Sequence, residues 1–128
     1  MTTKHTYLVD LHFDHKVWTR RLGFFKEEVT MFESYLGEVA VKNTSHECTA
    51  DVEHFQNQFI RQKEVIDELV HDIKIREEKL AHYAKENPVA IDHKYFQPEP
   101  EITERYMMFE KIYHELKEEY RRFLAKWM

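Results

Sequence analysis

The chain has 128 residues, the size of one ordinary domain, with 34% charged and 42% hydrophobic residues but only two glycines and three prolines. Such a composition suits long amphipathic helices, and the absence of period-two runs of Val, Ile and Thr excludes a sheet-based class. The net charge of −5 argues against a nucleic-acid partner, the single Cys48 excludes an internal disulfide framework, and no apolar run approaches the ~18 residues of a membrane span.

Residues 1–9 form a short lead-in without periodicity. They lack the basic-then-apolar signature of a signal peptide, so the expected location is the cytoplasm, where Cys48 stays reduced. Asp10 is the expected N-cap of a first helix over about 10–43, since its carboxylate can accept from the free amides of the first turn. The seam of that helix reads Leu11, His15, Trp18, Leu22, Phe25, Val29, Phe32, Leu36, Val39, Asn43, in unbroken 4-3 spacing. Gly23 and Gly37 fall inside it at a cost of ~1 kcal/mol each relative to Ala. Asn43 tolerates the left-handed conformation that ends many helices. Thr44 with Glu47 three residues later forms a capping box for the next helix.

The second helix spans about 45–86. Its seam is Val52, Phe55, Phe59, Gln62, Ile66, Leu69, Ile73, Arg76, Leu80, Tyr83, eight of the ten being apolar or aromatic. It would be ~60 Å long, too long and too charged to stand alone. Pro88 disfavours helical geometry in the residue before it and ends the helix. A Pro-containing loop covers 87–99, and Pro100 suits the first turn of a third helix over 100–127. The third seam is Ile102, Tyr106, Phe109, Tyr113, Leu116, Tyr120, Phe123, Trp127. The short link between the first two helices makes them antiparallel. The expected fold is therefore all-α: one domain over 1–128, an antiparallel up-down-up three-helix bundle with coiled-coil-like heptad packing. Counting out from the connections places Trp18 with Leu69 and Leu116, Phe25 with Gln62 and Phe123, and Val29 with Phe59 and Trp127. With Trp18 in the first helix and Trp127 in the last, the architecture resembles a single spectrin-type repeat. That resemblance carries no function.

Two surfaces look incomplete. The third helix should end opposite about Phe59, leaving the first two helices to continue as a tip ~20 Å long. Its seam residues Phe32, Leu36, Val39, Val52 and Phe55 would then lack a third helix. On the first helix, Val17, Phe24 and Met31 recur every seven residues outside the seam, with Phe13 and Tyr35 close to their line. A helix apolar on two faces lies between neighbours. Both features point to a protein partner, with a homodimer as the expected assembly.

Nine histidines are many for this length. The topology gathers His5, His12, His15, His82 and His93 at one end, with Asp10, Asp14, Glu78 and Asp92. Imidazoles and carboxylates of this kind are ligands for zinc, iron or manganese, so His5, His12, His82 and His93 are the alternative metal set. No seam position carries a carboxylate, and the Glu-x-x-His pair of Glu68 and His71 faces solvent, which argues against a buried di-metal centre. His15, Gln62 and Arg76 interrupt the seams as polar residues that fix register, with Asp10 or Asp14 as the expected partner of Arg76. Cys48 lies in a first helical turn, where the helix dipole can lower a thiol pKa. Nucleophile motifs, Gly-rich phosphate loops and paired-Cys sites are absent. Basic residues such as Arg20, Lys26, Arg61, Lys63 and Arg121 interleave with glutamates, as on a solvated mixed-charge surface. The expectation is a non-catalytic protein without cofactor, contacting neither nucleic acid nor membrane.

Overall fold

The computed structural model describes residues 6–86, 95–96 and 100–128, with side chains from 10–86 and 101–128. It consists of three long helices, α1 (Leu8–Lys42), α2 (His46–Glu86) and α3 (Pro100–Trp127), and one pair of two-residue strands, β1 (Thr6–Tyr7) and β2 (Tyr95–Phe96). The strands are antiparallel, with Thr6 opposite Phe96 and Tyr7 opposite Tyr95. The helices form the up-down-up bundle that the three seams predict. The seam leucines, isoleucines, valines and aromatics from Leu22 to Phe123 make one continuous core. No helix among the described residues is long and apolar enough to cross a membrane.

The helix ends differ in detail from the sequence expectation. α1 starts two residues earlier, directly after β1, so Asp10 sits inside the first turn. There its charge still complements the helix dipole. At the other end Asn43 does not adopt a left-handed conformation, since no described residue has positive φ. Its side-chain amide instead donates to the carbonyls of Val39 (3.0 Å) and Trp127 (3.1 Å). One residue thus satisfies orphan carbonyls at the ends of both α1 and α3. The α2 cap is Ser45 rather than Thr44: its hydroxyl accepts from the Cys48 amide at 3.2 Å. Glu47, freed from the expected capping box, meets Lys126 of α3 at 2.5 Å.

The larger correction concerns the height of α3. Arg105 bonds Asp72 at 2.8 Å, and a cleft is lined by Asp72, Ile75, Arg76 and Lys79 of α2 with Glu101 and Ile102 of α3. With Arg105 opposite Asp72, Pro100 lies five residues earlier, opposite about residue 77, so α3 opens ~14 Å short of the end of α2 at 1.5 Å per residue. From there α3 runs along α2 to the α1–α2 turn, where Lys126 meets Glu47 and the Trp127 carbonyl accepts from Asn43. The expected tip does not exist. Leu36, Val39 and Phe55 are buried, and Phe32 and Val52 pack against the core, because α3 covers that end. The overhang lies at the opposite end, where Leu11 and Leu80 form a small separate cluster with Ala84.

The layers shift to match. Trp18 stacks on Tyr106 at 4.9 Å, not on Leu116. Phe25 meets Phe109 and Tyr113, not Phe123. Phe59 sits among Phe32, Phe55 and Tyr120. Rings fill the space between α1 and α3, so those two backbones approach closely at few points while α1 and α2 pack tightly. Such ring pairs contribute ~0.5–1.5 kcal/mol each beyond the area they bury.

Candidate functional site

Polar anchors fix the aromatic face of α3 against α1. The Tyr113 hydroxyl donates to Glu28 Oε1 at 2.6 Å, and Lys117 Nζ donates to Glu28 Oε2 at 2.9 Å. The Tyr120 hydroxyl donates to the Phe32 carbonyl at 2.7 Å. The Tyr106 hydroxyl faces Arg21 and Glu110 without settling into a hydrogen bond with either. Burial holds all three phenols in the neutral form. It pushes Tyr106 up to about 12 and raises Tyr113 and Tyr120 above the ordinary tyrosine value, the Glu28 carboxylate adding to the effect at Tyr113. The arrangement braces the bundle and presents no reactive group to solvent.

At the histidine-rich end the structure brings two of the named histidines together. His12 Nδ1 contacts Glu77 Oε1, and the buried His15 bonds Glu77 Oε2 through Nδ1 at 2.8 Å. Glu77 is the partner that the sequence reading missed. It lies one residue from the seam position of Arg76, and because a helix turns 3.6 residues per turn it reaches across to α1 from the flank. Arg76 itself is half-buried and lines the cleft where α3 begins. His82 pairs with Glu86 at 3.2 Å on the exposed side of α2, away from this cluster. His5 and His93 lie outside the described residues. No group of three or more His, Cys, Asp or Glu among the described residues is disposed to hold a metal ion. His12, His15 and Glu77, with Lys16, Thr19 and Arg20, line an open cleft of about 350 Å³.

Gln62 is buried in the core, and its side-chain carbonyl meets no hydrogen-bond donor there. A polar group in that setting costs ~1–3 kcal/mol, which is consistent with a residue kept for register rather than for stability. Cys48 is fully buried, and its thiol is pushed up by desolvation first and by Asp51 and Glu47 next. The helix dipole does not prevail, so this thiol is inert.

The basic belt is stitched to acids. Lys26 bonds Asp67, Lys63 bonds Glu33, Arg61 lies beside Glu64 and Glu68, and Arg121 beside Glu118. It offers alternating charge rather than a continuous cationic track.

The apolar stripe of α1 is where the chain leaves surface uncovered. Phe13 is 64% exposed, Phe24 57%, Met31 51% and Tyr35 37%, while Val17 is half-buried. A second apolar surface was not anticipated from the sequence. Met108 and Ile112 are exposed on α3 and line a groove of about 390 Å³ against Val65 and Leu69 of α2. The adjacent Met107 and Met108 stand outside the α3 seam, and that was the available signal. Comparisons with protein-family models, with curated proteins and with solved structures return no match.

Proposed function

We propose that the protein is a non-catalytic helical module of the cytoplasm that acts through protein–protein contact, with self-association into a homodimer as its first contact. The observation that carries this reading is the outward stripe of α1, where two phenylalanines, a methionine and a tyrosine stand in solvent along one line. Scattered single apolar residues are ordinary on a surface, whereas a line at heptad spacing matches the ridge that another helix would cover. Dimerisation would extend the coiled-coil style of packing outward from the bundle. The buried, reduced Cys48 is compatible with the cytoplasm.

Light scattering tests the reading. The wild-type chain is expected to have an apparent mass near twice 15.8 kDa at micromolar concentration. Phe24→Glu is expected to give a folded monomer, because the side chain it replaces is more than half exposed. A wild-type monomer at high concentration would remove self-association from the proposal. Leu36→Glu does not serve as an interface probe: Leu36 is 3% exposed, and the new carboxylate would be buried without a partner.

A second reading is metal or small-ligand binding at the histidine-rich end, favoured by the open cleft that His12, His15 and Glu77 line. Elemental analysis of the purified protein, with thermal shifts on adding Zn²⁺ or Ni²⁺, tests it.

A further inference from the structure

The exposed stripe has an internal symmetry. Its five members are Phe13, Val17, Phe24, Met31 and Tyr35. Phe24 is the centre, Val17 and Met31 lie seven residues to either side, and Phe13 and Tyr35 lie eleven to either side. At ~100° per residue all five fall within a band about 40° wide, and at 1.5 Å per residue the band runs ~33 Å along α1. A stripe that reads alike in both directions is self-complementary under a two-fold axis perpendicular to the helix.

We infer that the partner of this surface is a second copy of α1, running antiparallel, with the two-fold axis at Phe24. This rests on the self-association reading above and specifies its geometry. In this register Phe24 faces its own copy, Val17 faces Met31 and Phe13 faces Tyr35, so every apolar member of the stripe meets an apolar member. Moving the register by one heptad leaves several of them opposite polar positions.

Charge supports the same register independently. Along one flank of the stripe run Arg20 and Glu27, four residues before and three after Phe24. A two-fold axis brings like flanks together. Arg20 of one copy then stands within ~1.5 Å of the height of Glu27 of the other, twice per dimer. A parallel pairing, with its two-fold axis along the helices, would instead bring opposite flanks together. Arg20 and Glu27 of one copy would then face neither residue of the other across the seam, and this pairing would be lost. Opposite charge at a rim also steers encounter into this register.

Two linked experiments test the register. Single cysteines are placed in the full chain, where the native Cys48 is buried and does not compete. Under mild oxidation, Phe24→Cys is expected to crosslink to itself. A mixture of Val17→Cys and Met31→Cys chains is expected to form the mixed disulfide dimer in preference to either self-crosslinked product. In parallel, Arg20→Glu and Glu27→Arg are each expected to weaken the dimer by about tenfold, and the combined variant to recover most of that loss, as charge exchange across a symmetric pair requires. Self-crosslinking of Val17→Cys and of Met31→Cys without the mixed product overturns the antiparallel register and leaves self-association standing. So does a combined charge variant weaker than either single one. A wild-type monomer overturns both.

Discussion

Glu28 is where α1 and α3 are joined by charge, and its environment gives a quantitative test of the shifted α3 register. The Tyr113 hydroxyl and the Lys117 ammonium both donate to it, and its side chain is only 14% exposed. A hydrogen bond to a charged acceptor contributes ~1.5–3 kcal/mol, the lower part of that range applying where the acceptor keeps another partner. Tyr113→Phe leaves Glu28 its lysine and is expected to cost about 1.5 kcal/mol. Glu28→Ala leaves a buried phenol without an acceptor and an ammonium without its counter-charge, and is expected to cost about 2–3 kcal/mol. In the double variant the orphaned phenol is gone, so the two losses should fall short of additivity by about 1 kcal/mol. Urea unfolding followed by circular dichroism measures this. With a slope of ~1–3 kcal/mol per molar, the single variants shift the midpoint by about 1 M at constant slope. Strict additivity would show that the two side chains do not touch. That result would refute the α3 register that this contact supports.

Other tests address single features. Tyr106, Tyr113 and Tyr120 are kept neutral by the fold, so their contribution to stability is complete below pH 10 and is lost as pH rises further, through about 12 for Tyr106 and higher still for the other two. The bundle is expected to unfold above pH 10 as these three phenols ionise. Because four of the chain's seven tyrosines lie elsewhere, the check is to replace Tyr106, Tyr113 or Tyr120 by Phe. A loss of phenolate absorbance near pH 10 in the folded variant would refute the burial argument. Gly37 lies on an exposed helical face with nothing near the space a Cβ would fill, so Gly37→Ala is expected to stabilise by about 1 kcal/mol, read as a raised melting temperature. Phe59 is fully buried among three other rings, and Phe59→Ala should cost ~3–5 kcal/mol in the same assay, enough to leave a marginal fold.

Much of the fold could be read from the sequence because heptad seams are local. Each seam needs only the spacing of neighbours such as Leu22, Phe25 and Val29, and the three helices emerge within two residues of their expected ends. The height of α3 could not be read in the same way. It depends on how far along the bundle the start of α3 lies from the end of α2, and composition does not record that distance. The imagined tip at Leu36, Val39 and Phe55 followed from that one missing length. The stripe through Phe24 was legible because it breaks the seam period on a helix whose other face was already assigned. Glu77 was not, since nothing in the sequence marks one exposed-looking glutamate among many as the acceptor for two histidines. Asn43 and Ser45 show the same limit at small scale: the residue types that cap were recognised, but which atoms they serve depends on where α3 ends.

The two tryptophans sit at opposite ends of the aromatic column. Trp18 lies against Tyr106 near the opening of α3, and Trp127 closes α3 under the Lys126 ammonium, whose nitrogen is 5.1 Å from the ring centre. The chain thus carries two fluorophores, each reporting on the docking of one end of the same helix. Replacing either by phenylalanine leaves a single-site probe of whether α3 detaches as a unit or peels away from one end. Coincident transitions from the two would mark the bundle as one cooperative body. An earlier transition at Trp18 would identify the overhang end, with its small separate cluster, as the place where opening begins.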